Sequence, residues 1–227
     1  MTTLVLVRHG LTRMTGPVLA GWTPGIDLDD RGRDQATAVA ARLREVPLAA
    51  VVSSPLERCA QTAAAIATGR ETEVSIDERV AEARYGDWTG GELKKLAKDP
   101  LWRKVQAHPS AVTFPAGESL RYTSARAVAA VRDWNDRLGD DATYAVVSHG
   151  DVIMALVADA LGMHLELFQR IQVDPCSVTV IRYTELRPFL VRLNDVGSLA
   201  DLLPAKKKSR RKASSDAPVG GGAGVQL

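Results

Sequence analysis

The chain has 227 residues, 45% of them apolar and 25% charged, a globular composition long enough for one domain with a sizeable core. It contains no run of 18 apolar residues, which excludes a membrane-spanning helix, and its two cysteines, Cys59 and Cys176, lack the number and spacing of a disulfide framework or a zinc site. The net charge of +2 hides two regions: residues 205–227 hold six basic residues (Lys206, Lys207, Lys208, Arg210, Arg211, Lys212) and one acid (Asp216), which leaves 23 basic against 26 acidic elsewhere, and so no charge argument for nucleic acid in the folded part.

Met-Thr-Thr leads directly into an apolar run, without the charged start and long apolar segment of a signal peptide, so a cytoplasmic protein is expected. That run, residues 4–7, reads as a buried strand and ends abruptly in Arg8-His9-Gly10. In "DDRGRDQATAVAARLREV", Ala36, Val39, Ala40, Leu43 and Val46 share one helical face. Residues 49–52 form a short apolar strand, followed by "SSPLERCAQTAAAIA" as a helix in which Ser54 caps, Pro55 takes the first position and Glu57 completes a capping box. Ser119 caps a long helix running to Leu138 and stopping near Gly139. Residues 144–148 are again an apolar strand, running through His149-Gly150-Asp151 into the helical "VIMALVADALG", and "SVTVIRY" and "PFLVRL" are two more strands. From Ala205 onward a basic block and a Ser, Pro and Gly-rich end show no apolar periodicity, so the reading is one domain over 1–204 and a disordered basic tail over 205–227.

Alternation of strand and helix predicts an α/β three-layer sandwich, a mostly parallel central sheet with helices on both faces. Ligands of such sheets bind beyond the carboxyl ends of the strands. Here one strand ends in Arg8-His9-Gly10, another in Ser53-Ser54 with Arg58 just beyond, and a third in Ser148-His149-Gly150. Two arginines and two histidines brought to one edge describe a pocket for a compact dianion, because the guanidinium fork matches phosphate oxygens and nearby helix N-termini add amide donors. The expected ligand is a phosphoryl group.

In this order "LVLVRHGLT", "VVSSPLERCAQTA", "AEARYGDWTG", "PAGESL" and "VVSHGDVI" resemble the histidine phosphatase superfamily, the phosphoglycerate mutase-like proteins, from about Leu4 to Gly162. The resemblance implies that fold, with His9 as a nucleophile that becomes a phosphohistidine. It also implies Arg8, Arg58 and His149 around the phosphoryl oxygens, and Glu82 as proton donor to the leaving group. Gly10, Thr12, Thr15, Ser148 and Gly150 are the further expected phosphate contacts. This chain departs from the family in having Leu11 where many members have Glu or Gln, and Thr15 where they have Asn. Glu118 and Ser119 of "PAGESL" are explained by turn and cap, while Trp22, Arg84, Tyr85 and Trp88 are candidates for the substrate side.

The implied activity is a metal-independent and cofactor-free phosphomonoester hydrolase acting on a small phosphorylated metabolite. No HExxH, HxH, Walker loop or GxSxG stands against it. A cofactor-dependent phosphoglycerate mutase is the rival, since "EARYG" is similar to the mutases' "ERHYG", but the segment before "GES" is short and "WRKV" matches their carboxylate-gripping arginine pair poorly. A non-catalytic phosphoryl-binding module is a third reading, weakened by the presence of all five principal residues. No membrane partner is expected, and nucleic acid only through the basic tail.

Overall fold

A computed structural model describes residues 1–198 and Gly220. Apart from Gly220, the expected tail lies outside the described residues, as does the end of the expected domain at 199–204. In chain order the elements are β1 (Thr2–Arg8), β2 (Val18–Leu19), α1 (Asp30–Leu43), β3 (Ala50–Ser53), α2 (Glu57–Ala67), β4 (Val74–Ile76), β5 (Gly91–Glu92), α3 (Leu93–Leu96), α4 (Pro100–Ala107), α5 (Leu120–Leu138), β6 (Thr143–Ser148), α6 (Gly150–Ala160), β7 (Val178–Tyr183) and β8 (Pro188–Asp195).

Among the described residues, six strands form one sheet in the order β4-β3-β6-β1-β7-β8, and β2 pairs with β5 separately. The first four are mutually parallel, and β7 and β8 close the sheet antiparallel. Side chains alternate across a strand, so Leu4 and Leu6 of β1 enter the core under α5 and α6 while Val5 and Val7 enter the core under α1 and α2. Both faces are therefore covered, which is why these strands read as unbroken apolar runs rather than as alternating ones. Each fully buried side chain of this kind contributes about 1.5–3 kcal/mol. The expected three-layer α/β sandwich is the observed architecture.

Of the two helix starts predicted from a capping serine, one is observed and one is not. Ser119 accepts from the Tyr122 amide to start α5, and Gly139, at φ +70°, ends it. The helix expected from Ser54 instead begins at Glu57, with Leu56 at its cap and no side-chain cap bond. The Ser54 hydroxyl accepts from the Leu56 amide at 3.3 Å, just ahead of the helix, and has a second partner described below. Both cysteines are buried free thiols, and burial pushes each up to about 12. No helix among the described residues is long and apolar enough to cross a membrane.

Candidate active site

Parallel register sets the site. Arg8 pairs with Ser148 and Ser53 with Val147, so β1, β3 and β6 end on one line, and the residues that follow each end converge. Arg8 (2% exposed), His9 (6%), Arg58 (1%), Glu82 (4%) and His149 (0%) are all buried. Arg8, His9, Arg58 and Glu82 line one cavity together with Thr12, Thr15 and Tyr85.

Hydrogen bonds determine the state of each imidazole, because arginine can only donate. Arg58 Nε donates to His9 Nε2 at 3.3 Å, so that nitrogen accepts and Nδ1 carries the proton, which it donates to the Gly10 carbonyl at 2.7 Å. His9 is thus a neutral imidazole with its lone pair on Nε2. Burial, with the charges of Arg58 and then Arg8, pushes its pKa well below the ordinary histidine value. His149 follows the same logic: Nδ1 accepts from Arg58 Nη2 at 3.3 Å, and Nε2 donates to Ser54 Oγ at 2.8 Å. Its pKa is likewise held well down, chiefly by burial and then by Arg58. The two rings meet edge to face, 5.3 Å apart.

The arginines are aimed by backbone carbonyls. Arg8 Nη1 donates to Val173 O at 2.8 Å and Nη2 to Gly220 O at 3.3 Å, while Arg58 Nη2 donates to Gly21 O at 2.8 Å. Arg58 Nη1 is buried with no hydrogen-bond partner among the described residues. A buried guanidinium donor left over costs free energy until an acceptor arrives, and an anionic oxygen is the acceptor that suits it best.

Glu82 lies on a loop gripped from behind. Arg126 of α5 donates to the carbonyls of Arg79, Ala81 and Glu82 and pairs with Glu118 at 2.6 Å. Trp22 Nε1 donates to Glu82 O at 2.7 Å, with the Arg84 guanidinium 3.8 Å over the indole ring. The same loop packs on the "PAGES" turn: Asp87 N donates to Pro115 O, and a Cβ on Gly86, at φ +54°, would stand 1.9 Å from that oxygen. Gly86→Ala is therefore expected to cost about 1–3 kcal/mol through overpacking and backbone strain, read as a lower urea midpoint; an unchanged midpoint would refute the close approach. Burial, and secondarily the charge of Asp151, raises the Glu82 pKa to about 7. Its carboxyl can therefore carry a proton at neutral pH, as a general acid must.

The remaining sequence-based candidates divide. Thr12 and Thr15 line the cavity and hydrogen-bond to each other, Oγ1 to Oγ1, at 2.9 Å. Gly10, Ser148 and His149 do not themselves line the cavity. The Gly10 amide donates to Thr62 Oγ1, and its Cβ position is 2.6 Å from Gly32 O, so glycine is required there for packing against α1. Ser148 donates to Val80 O at 2.6 Å and holds the Glu82 loop to β6. Gly150 opens α6 and also lies outside the lining. Of the aromatic candidates, Tyr85 reaches the cavity, whereas Trp88 is core, stacked on Trp102. Sequence reasoning did not single out Arg126, the Ser54 contact with His149, or Asp151, whose partners are distant in the chain. Among the described residues, no group of three or more His, Cys, Asp or Glu is placed to hold a metal ion.

Comparison with known proteins agrees with this geometry. A family model, histidine phosphatase superfamily (branch 1), matches residues 4–196. Phosphoserine phosphatase 1 of Hydrogenobacter thermophilus is 32% identical over 206 residues, which are 86% of this chain and 92% of that protein. A probable phosphoglycerate mutase of Shigella boydii is 28% identical over 187 residues, 82% of this chain and 86% of its own length. A solved structure of a phosphoserine phosphatase variant from Entamoeba histolytica, in complex with phosphoserine, superposes with a TM-score of 0.78 at 27% identity and covers 86% of this chain and 98% of that chain.

Proposed function

The chain belongs to the histidine phosphatase superfamily and is a phosphatase, and on that premise we propose that it hydrolyses small phosphomonoesters through a phosphohistidine on His9 Nε2, without a metal ion. In the first step the Nε2 lone pair attacks phosphorus as the bond to the ester oxygen breaks, and Glu82 gives its proton to that oxygen. Glu82, now a carboxylate, then takes a proton from water as the water oxygen attacks phosphorus. The P–N bond breaks, inorganic phosphate leaves, and His9 and Glu82 return to their starting states. Arg8 and Arg58 stabilise charge on the transferring oxygens, and Thr12 and Thr15 offer hydroxyls at the same cavity. His149, neutral and anchored by Ser54, steadies Arg58 beside them.

The observation that carries this reading is the tautomer of His9. The bond from Nδ1 to Gly10 O leaves Nε2 unprotonated, and burial of the ring, then the charges of Arg58 and Arg8, keep it so. A nucleophile needs that state, whereas a histidine serving only to bind phosphate would gain from a positive charge. Phosphoserine is the ligand named for one structural relative, and a short polar phosphomonoester of that kind is the substrate class to test first.

The test is a phosphate-release screen over alkyl, amino-acid and sugar monophosphates, with and without chelator, alongside an assay for conversion of 3- to 2-phosphoglycerate. Release that chelator leaves unchanged is expected. Loss on chelation that a divalent cation restores would overturn the metal-free mechanism, and isomerisation without release would make the protein a mutase.

A further inference from the structure

Glu82 is not the only acid buried at this site. Asp151, 2% exposed, stands in the first turn of α6 two residues after His149. Its Oδ2 accepts from the Tyr85 hydroxyl at 2.7 Å, and its Oδ1 accepts from the Gly220 amide at 3.1 Å. Tyr85 is fully buried, lines the cavity, and lies three residues beyond Glu82 on the same clamped loop. Its phenol donates to Asp151 and is kept protonated by burial and by the charges of Asp151 and Glu82. Tyr85 thus ties Asp151 to the loop that carries Glu82.

We propose that Asp151 is a positioning residue for the proton donor: its carboxylate, bonded to Tyr85 of the Glu82 loop, keeps the proton on Glu82 in the enzyme that meets substrate. This rests on the assignment of Glu82 as the acid. Two carboxylates enclosed together cannot both ionise cheaply, so one holds a proton. Which one is decided by their donors. Asp151 accepts two hydrogen bonds and sits at a helix N-terminus, where negative charge is favoured. The Glu82 carboxyl accepts from the Ala83 amide at 3.0 Å, and its Oε2 lies 3.8 Å from Nδ1 of a neutral His149. Burial raises both acids, but the bonds from Tyr85 and Gly220 pull Asp151 back down, so the charge settles on Asp151 and the proton on Glu82. The other charged groups facing Glu82 are Arg8 at the end of β1, Arg58 from α2, and Arg126 from α5 at its backbone carbonyl. The two arginines in the cavity favour ionisation of Glu82, and Asp151 is the charge that opposes them.

Asp151→Asn keeps the shape and an acceptor for Tyr85 but removes the charge. The experiment is the pH dependence of kcat/KM of the full chain on glycerol phosphate and on p-nitrophenyl phosphate. For glycerol phosphate the basic limb is expected to move down by about one pH unit or more, so that the rate above the wild-type limb falls about tenfold. For p-nitrophenyl phosphate, whose leaving group hardly needs a proton, the limb stays in place. Tyr85→Phe, which breaks the link but keeps the charge, moves the limb in the same direction by less, and serves if the asparagine variant does not fold. Asp151→Glu restores the wild-type limb. A glycerol phosphate limb that coincides with wild type in both Asp151→Asn and Tyr85→Phe overturns the proposal. So does a limb that still moves when Asp151→Asn is placed in a Glu82→Gln background, although the acid role of Glu82 would survive that result. Equal slowing of both esters by Glu82→Gln alone would mark failure of the acid assignment itself.

Discussion

His9→Ala is expected to lower kcat for every phosphomonoester by about 10³-fold or more, the scale on which loss of a covalent nucleophile acts, while phosphate or vanadate affinity changes by less than about tenfold. The asymmetry follows from the geometry. The proposed anion contacts are Arg8, Arg58 and the threonine hydroxyls: Arg8 is held by Val173 O, and Arg58, which loses its Nε contact with His9 in the variant, keeps its bonds to Gly21 O and His149. Nucleophilic attack has one supplier, the Nε2 lone pair. Steady-state hydrolysis, anion titration by calorimetry, and a search for an acid-labile phosphoryl adduct on the protein together check it. Hydrolysis near the wild-type rate in the variant would remove His9 from the centre of the mechanism.

Glu82→Gln has the second largest expected effect, and the effect depends on the leaving group. Alkyl phosphates expel a basic alkoxide and should slow by about 10²–10⁴-fold, the usual worth of a positioned acid, whereas p-nitrophenyl phosphate should slow by less than about tenfold. The wild-type pH profile carries the same signature. Because the raised Glu82 pKa is about 7, the protonated acid is present below that pH and is lost as pH rises through it, so alkyl phosphate hydrolysis falls on the basic side. On the acid side the depressed pKa of His9 keeps the nucleophile unprotonated to below the ordinary histidine value. Equal slowing of the two ester classes in the variant, or identical basic limbs for both in the wild type, would refute the assignment.

Much of this site was legible before any coordinates, for a definite reason. Strands buried on both faces have to be apolar throughout, so the polar residues at their ends stand out, and parallel pairing brings those ends to a common line. Arg8, Arg58 and His149 could be placed that way, and the resemblance supplied Glu82, which no periodicity marks. What was not legible depended on pairs that meet only in space. Ser54 has the sequence context of a helix cap, and its hydroxyl does accept from the Leu56 amide, but it also meets His149, 95 positions away. Ser148 and Gly10 sit where a phosphate contact belongs, but one fastens a loop and the other admits a neighbouring backbone. β4 was not anticipated because it is only three residues long and none of them is fully buried, so it shows neither an apolar run nor a clear alternation.

The order of strands also bears on how the molecule comes to exist. β6 lies between β3 and β1 in the sheet, although it follows both by about ninety residues or more of chain. Until residues 143–148 have been made and docked, β1 and β3 have no shared neighbour, and each shows the other an unpaired, strongly apolar edge. Joining them closes long loops, an entropic cost met before the contacts it permits are gained. The candidate pocket and the parallel part of the sheet therefore depend on one late strand, since β6 joins β1 to β3 and also delivers His149. A nascent or partly folded chain would carry sticky edges and no activity, and chain length at arrest, rather than the strength of any one contact, sets when catalysis first becomes possible.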